Sequence, residues 1–72
     1  MIAFEPDCIF AIVLRDQPHL KGKAEKADMY NLQMACERLD QRTATFYMED
    51  VNGTTVAITV VVEDVRRIEV SE

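Results

Sequence analysis

The clearest hydrophobic pattern lies in the last third of the chain. Thr54 to Val62 alternates strictly, with Val56, Ile58, Val60 and Val62 on one side and Ala57, Thr59 and Val61 on the other. A period of two predicts a β-strand. Both sides are apolar or β-branched, so both faces of this strand are expected to be covered. Asn52-Gly53 precedes it and marks a hairpin, because both residues tolerate positive φ. The partner strand is Thr43 to Val51, rich in threonine and aromatics. Glu63-Asp64 makes a tight turn into a short strand, Val65 to Val70, with Ile68 and Val70 opposite Arg67 and Glu69.

The N-terminal half reads less evenly. Residues 1–7 form a lead-in that ends at Pro6-Asp7. Cys8 to Arg15 is a strand, apolar on both faces and therefore buried. Asp16-Gln17-Pro18-His19 is a turn. Leu20 to Ala27 is a second strand, with Leu20, Gly22 and Ala24 opposite Lys21, Lys23 and Glu25. Gly22 weakens a strand, so it marks a sharp bend or a close backbone approach. Residues 31–39 fit two patterns. As a strand, Leu32, Met34 and Cys36 point inward and Asn31, Gln33 and Glu37 outward. As a helix, Met29, Leu32, Ala35, Cys36 and Leu39 form an apolar stripe, and intrinsic propensity favours this reading.

Residues 20–34 carry a further signal. A glycine-bearing alternating segment, Leu20-Lys21-Gly22-Lys23-Ala24, leads to Asp28-Met29-Tyr30-Asn31 and then to Leu32-Gln33-Met34. This resembles the first motif of the Sm/LSm (Hfq-like) family of small ring-forming RNA-binding proteins. There, a bent strand enters an Asp-x-x-Met-Asn loop and an alternating strand follows. The loop here is one residue shorter. The resemblance implies an all-β fold: one domain over 1–72, a strongly bent five-stranded barrel of SH3-like topology, with 31–39 extended. Two registers fit. In the preferred one, 31–51 is a long bulged third strand, Asn52-Gly53 is the hairpin to strand four, and 65–70 is strand five. In the other, Asp40 to Thr43 is the hairpin and Val51-Asn52-Gly53-Thr54-Thr55-Val56 stands for the family's second motif, Ile-Arg-Gly-x-x-Val. The alternative fold is α+β, βαβββ, with a helix near 28–40.

What the resemblance implies for function is a homo-oligomeric ring of about five to seven subunits, closed head to tail by strand four of one copy and strand five of the next. It would bind single-stranded RNA, with DNA not excluded, in or near its pore, as a non-catalytic chaperone or processing factor. Tyr30 would stack on a base, and the Asn31 amide would read a base edge. Asp28 would fix the loop through backbone N–H groups. Arg66, at the turn before the last strand, would stack on a base or grip phosphate.

Composition moderates this picture. The chain has 72 residues and a net charge of −5, which counts against broad binding of a nucleic-acid backbone but not against a local base pocket. Lys21, Lys23 and Lys26, and the pair Arg66-Arg67, are locally basic. They read as a solvated surface more readily than as phosphate contacts. With two cysteines, one histidine and no Cys-x-x-Cys pair, neither a disulfide framework nor a metal or other cofactor is expected. No apolar run approaches the ~20 residues of a membrane helix, so a reduced cytoplasmic protein is the default. No nucleophile–base pair or carboxylate cluster suggests an enzyme. Chains this short often need a partner subunit for stability. The second functional reading is an acidic protein–protein interaction or assembly module that binds no nucleic acid, and a helix at 28–40 would favour it.

Overall fold

The computed structural model describes residues 4–72; residues 1–3 of the expected lead-in lie outside the described residues. The elements are β1 (Cys8–Leu14), β2 (Leu20–Ala24), α1 (Lys26–Arg38), β3 (Thr43–Glu49), β4 (Thr55–Val61), a single 3-10 turn (Val62–Asp64) and β5 (Val65–Ser71). All five strands join one antiparallel sheet in the order β4-β3-β2-β1-β5. Five strands and the Asn52-Gly53 hairpin are present, but β2 stops at Ala24 instead of Ala27, because the helix takes over from Lys26. The closed barrel is absent, because no ladder joins β4 to β5.

Residues 31–39 also correct the expectation. They lie in or just beyond α1, so the long third strand of the preferred register does not form, and Leu39 to Arg42 only link α1 to β3. The helix of the α+β alternative is found, but two strands precede it rather than one. Propensity prevails here because the surroundings agree with it. The Lys26 N–H, one of the helix's free amides, donates to Asp7 Oδ1 at 2.7 Å. Asp28 lies in the first turn and Arg38 in the last, each favourable to the helix dipole. Leu39 ends the helix in the left-handed region at φ 55°, its N–H bonded to Ala35 O. Met29, Leu32 and Ala35 of the expected stripe are buried, whereas Leu39 is exposed.

The helix covers the inner face of the sheet. Strand registers place Phe10 opposite Gly22 and Val70, Ile12 opposite Leu20 and Ile68, and Cys8 opposite Ala24 on that face. Phe46–Ile58, Ala44–Val60 and Met48–Val56 continue it across β3 and β4. Phe10, Ile12 and Met29 are almost fully enclosed. Burial of each contributes about 1.5–3 kcal/mol relative to exposure. Phe10 and Phe46 meet edge to face, with centroids 5.5 Å apart and planes at 88°.

Those two rings stand on strands separated by β2, and Gly22 occupies the space between. A Cβ there would sit 2.5 Å from Met48 Cε and 2.8 Å from Glu49 O. The methionine end can swing aside, but the carbonyl belongs to the register pair that ties β2 to β3 among the described residues, Lys23 with Glu49. The close approach expected at this glycine is therefore real. Gly22→Ala should lower stability by about 1–3 kcal/mol, as overpacking does. Urea unfolding followed by circular dichroism tests this, and an unchanged midpoint would contradict it.

Candidate functional site

Asp28, Tyr30 and Asn31 lie on α1 rather than in a loop. Asp28 and Asn31 line one shallow groove of about 270 Å³, between the helix and the start of β3 at Thr43 and Thr45. Tyr30 is 62% exposed. Arg66 lies beside Gln33, Cys36 and Glu37, in a groove formed by the helix and β5. The four residues therefore do not share a groove.

The basic residues are dispersed as well. Arg66 falls where the β1–β5 register shifts beyond Val13 and Arg67. Arg67 Nε bonds Glu69 Oε2 at 2.7 Å, and Arg15 bonds Asp64 at 3.2 Å. Lys26 pairs with Glu72, and that hydrogen bond raises the lysine pKa and lowers the glutamate pKa. Lys23 stands opposite Glu49 across β2 and β3. Among the described residues, the groove beside β5 holds Arg66 and Arg67 together, and the grooves beside α1, β3 and β4 add at most one further cation each.

Among the described residues, no group of three or more His, Cys, Asp or Glu side chains is placed to hold a metal ion. Among them, no helix is long and apolar enough to cross a membrane. Cys8 is buried, with its thiol directed at Ala24 O at 3.3 Å. Burial first, and the Asp7 charge second, raise its pKa above that of a free thiol. Burial also raises that of half-buried Cys36.

The outstanding surface is the side of β4 that no strand pairs, whose C-terminal half, Ile58 to Val61, shares a groove with Leu14, Pro18 and Leu20. Its sequence, Thr-Val-Ala-Ile-Thr-Val-Val, holds no charge, proline or glycine. These are the devices that ordinarily guard a sheet edge. The hydrogen bonds reveal which backbone groups lie there. Val62 N–H donates to Arg42 O at 2.8 Å, and Asp50 N–H donates to Thr54 O at 3.0 Å. These bonds flank the ladder that runs from Thr43↔Val61 to Glu49↔Thr55. Directly opposite residues in an antiparallel pair alternate between exchanging bonds and facing away. Val56, Ile58 and Val60 therefore bond to β3. The N–H and C=O groups of Thr55, Ala57, Thr59 and Val61 point out from the open edge, and the Val61 C=O also accepts Asp64 N–H as the first bond of the 3-10 turn.

The side chains of those same four residues lie on the outer face, beside Glu49, Tyr47, Thr45 and Thr43 of β3. Tyr47 is 56% and Val61 46% exposed, and Thr45 and Thr59 share a hydroxyl–hydroxyl bond of 2.8 Å. The other open edge, β5, differs in kind. It carries Arg66, Arg67 and Glu69 and a register shift near its start. Alternation in the sequence singled out β4 as apolar on both sides. It did not show that β4 is an edge strand, because that depends on long-range pairing. No family model, curated protein or solved structure matches this chain.

Thiol labelling checks the core side of this description. Cys36 should react with an alkylating reagent before Cys8, and Cys8 should react only as the protein unfolds. Mass mapping over time reads the order, and prompt labelling of Cys8 in the native state would contradict its burial.

Proposed function

We propose that this chain is an acidic, non-catalytic association module whose copies bind one another through exposed sheet edges. The observation that carries the reading is the uncharged edge of β4, with its outward row of backbone groups that no other strand of the same copy pairs. Such an edge is a template for strand addition by another chain. The apolar outer positions Ala57, Thr59 and Val61, which the alternation expected to be covered, lie open within one copy. A 72-residue chain with a modest core also gains stability from a partner.

The nucleic-acid reading loses its main premise in this geometry. It needs Asp28, Tyr30 and Asn31 in a loop beside Arg66, and the first three are helical and Arg66 lies in a separate groove. The net charge of −5 also favours a protein partner over a phosphate chain.

Sedimentation velocity across a concentration series tests the reading, with a short uridine-rich oligonucleotide followed by fluorescence anisotropy alongside. The mass should rise above the 8.2 kDa of one copy as concentration increases. Salt between about 0.05 and 0.5 M should strengthen association by screening the repulsion of like-charged copies. The oligonucleotide should stay free, with Tyr30→Ala and Asn31→Ala indistinguishable from wild type. A mass fixed at one copy would overturn the proposal. So would tight oligonucleotide binding that either variant abolishes.

A further inference from the structure

We infer that two copies pair antiparallel, β4 to β4, around a two-fold axis through Ile58, with Thr55 opposite Val61 and Ala57 opposite Thr59 of the second copy. The inference rests on the self-association reading above and specifies its partner surface and register.

Three features select this arrangement over pairing of β4 with β5. The first is charge. An uncharged strand meets an identical strand with no like charges opposed, whereas β5 would bring Arg66 and the Arg67–Glu69 pair against a strand that has no charge to receive them. The second is regularity. The β3–β4 register runs without a shift from end to end, while the β1–β5 register slips near the start of β5. A continuous ladder can be built on β4 alone.

The third is parity. Only Thr55, Ala57, Thr59 and Val61 present outward N–H and C=O groups. Hydrogen-bonded pairs across the new edge must therefore join members of this set. An axis through Ile58 matches Thr55 with Val61, and Ala57 with Thr59, twice over. All four residues of both copies are then used, in about eight backbone bonds, with each Val61 carbonyl accepting a second bond on its other lone pair beside the one from Asp64 N–H. Moving the axis to Ala57 or Thr59 keeps the parity but leaves an outward residue of β4 without a β4 partner. Directly opposed residues in an antiparallel pair share a face, so the outer faces of the two copies become continuous. Tyr47, Ala57, the second copy's threonine at 59 and its threonine at 45 then form one row. Cross-strand rows of aromatic and β-branched side chains stabilise sheets. The contact is isologous and closes on itself, so association stops at two copies.

The experiment compares two double variants with wild type by sedimentation velocity, at concentrations up to about 1 mM because an edge contact is small. Positions 57 and 59 lie on the exposed outer face, and circular dichroism with thermal unfolding verifies that each variant folds. Ala57→Lys with Thr59→Lys sets ammonium groups opposite each other at both symmetric pairs. Ala57→Lys with Thr59→Glu sets each ammonium opposite a carboxylate. Both variants lose the Thr45–Thr59 hydroxyl bond equally, so that loss cannot separate them. Wild type should reach twice 8.2 kDa. The double-lysine variant should weaken the dimer at least about tenfold, although it reduces the net negative charge of each copy. The lysine–glutamate variant should dimerise as well as wild type or better.

Failure of the inference is separable from failure of the reading beneath it. Wild type that stays at 8.2 kDa removes self-association altogether. Two variants that dimerise equally well place the contact away from β4. Two folded, monomeric variants keep the edge but reject this register. A wild-type mass above two copies rejects the closed pair in favour of a larger assembly.

Discussion

The near-contact of two backbones at Gly22 sets the shape of everything around it. With hydrogen in place of a side chain, Glu49 O and the Met48 methyl close over β2, and Phe10 reaches Phe46 across it. That contact gathers β1 and β3, which are not neighbours in the sheet, around one apolar interior. α1 then fills the inner face with Met29, Leu32 and Ala35. A larger residue at position 22 would push β3 away and open the core to water. The β3–β4 hairpin is joined to the rest of the sheet by the single Lys23–Glu49 pair, by the packed side chains and by the helix. Its placement is thus a matter of packing more than of backbone hydrogen bonding.

This division explains where binding capacity lies. Inner-face residues of β4, such as Val60, are committed to the core, while the alternate residues and their backbone groups are left free. The two edges of the sheet are treated differently. β5 is guarded by arginines, a glutamate and a slipped register, and β4 has none of these. A chain with charge to spare elsewhere leaves one strand bare, and the interface proposed on that strand would account for the difference.

Much of this was legible in the residues. The alternation of Thr54 to Val62, the Asn52-Gly53 hairpin, the buried Cys8 run and the close approach at Gly22 all follow from local chemistry and are found. The segment from Asp28 to Leu39 shows the limit. Its apolar positions satisfy both a period of 2 and a period of 3.6, so pattern alone does not choose. The choice came from a distant carboxylate, Asp7, that caps the first turn, and from the open inner face that receives Met29 and Leu32. The placement of Asp28 and Asn31 on one flank of the helix and Arg66 on the other was hidden for the same reason, since flanks of a helix arise only once the helix exists. The edge position of β4 was equally hidden, because it is decided by pairing between residues far apart in sequence.

The ladder between β1 and β5 joins Ile9 to Ser71, nearly the full span of the chain. During synthesis, β1 must wait for residues 65–71 before its second side is occupied, so the complete sheet forms only after translation has delivered them. Until then the apolar run Cys8–Leu14 depends on the hairpin with β2 for shelter, which makes the nascent chain, more than the finished one, the state at risk of clumping.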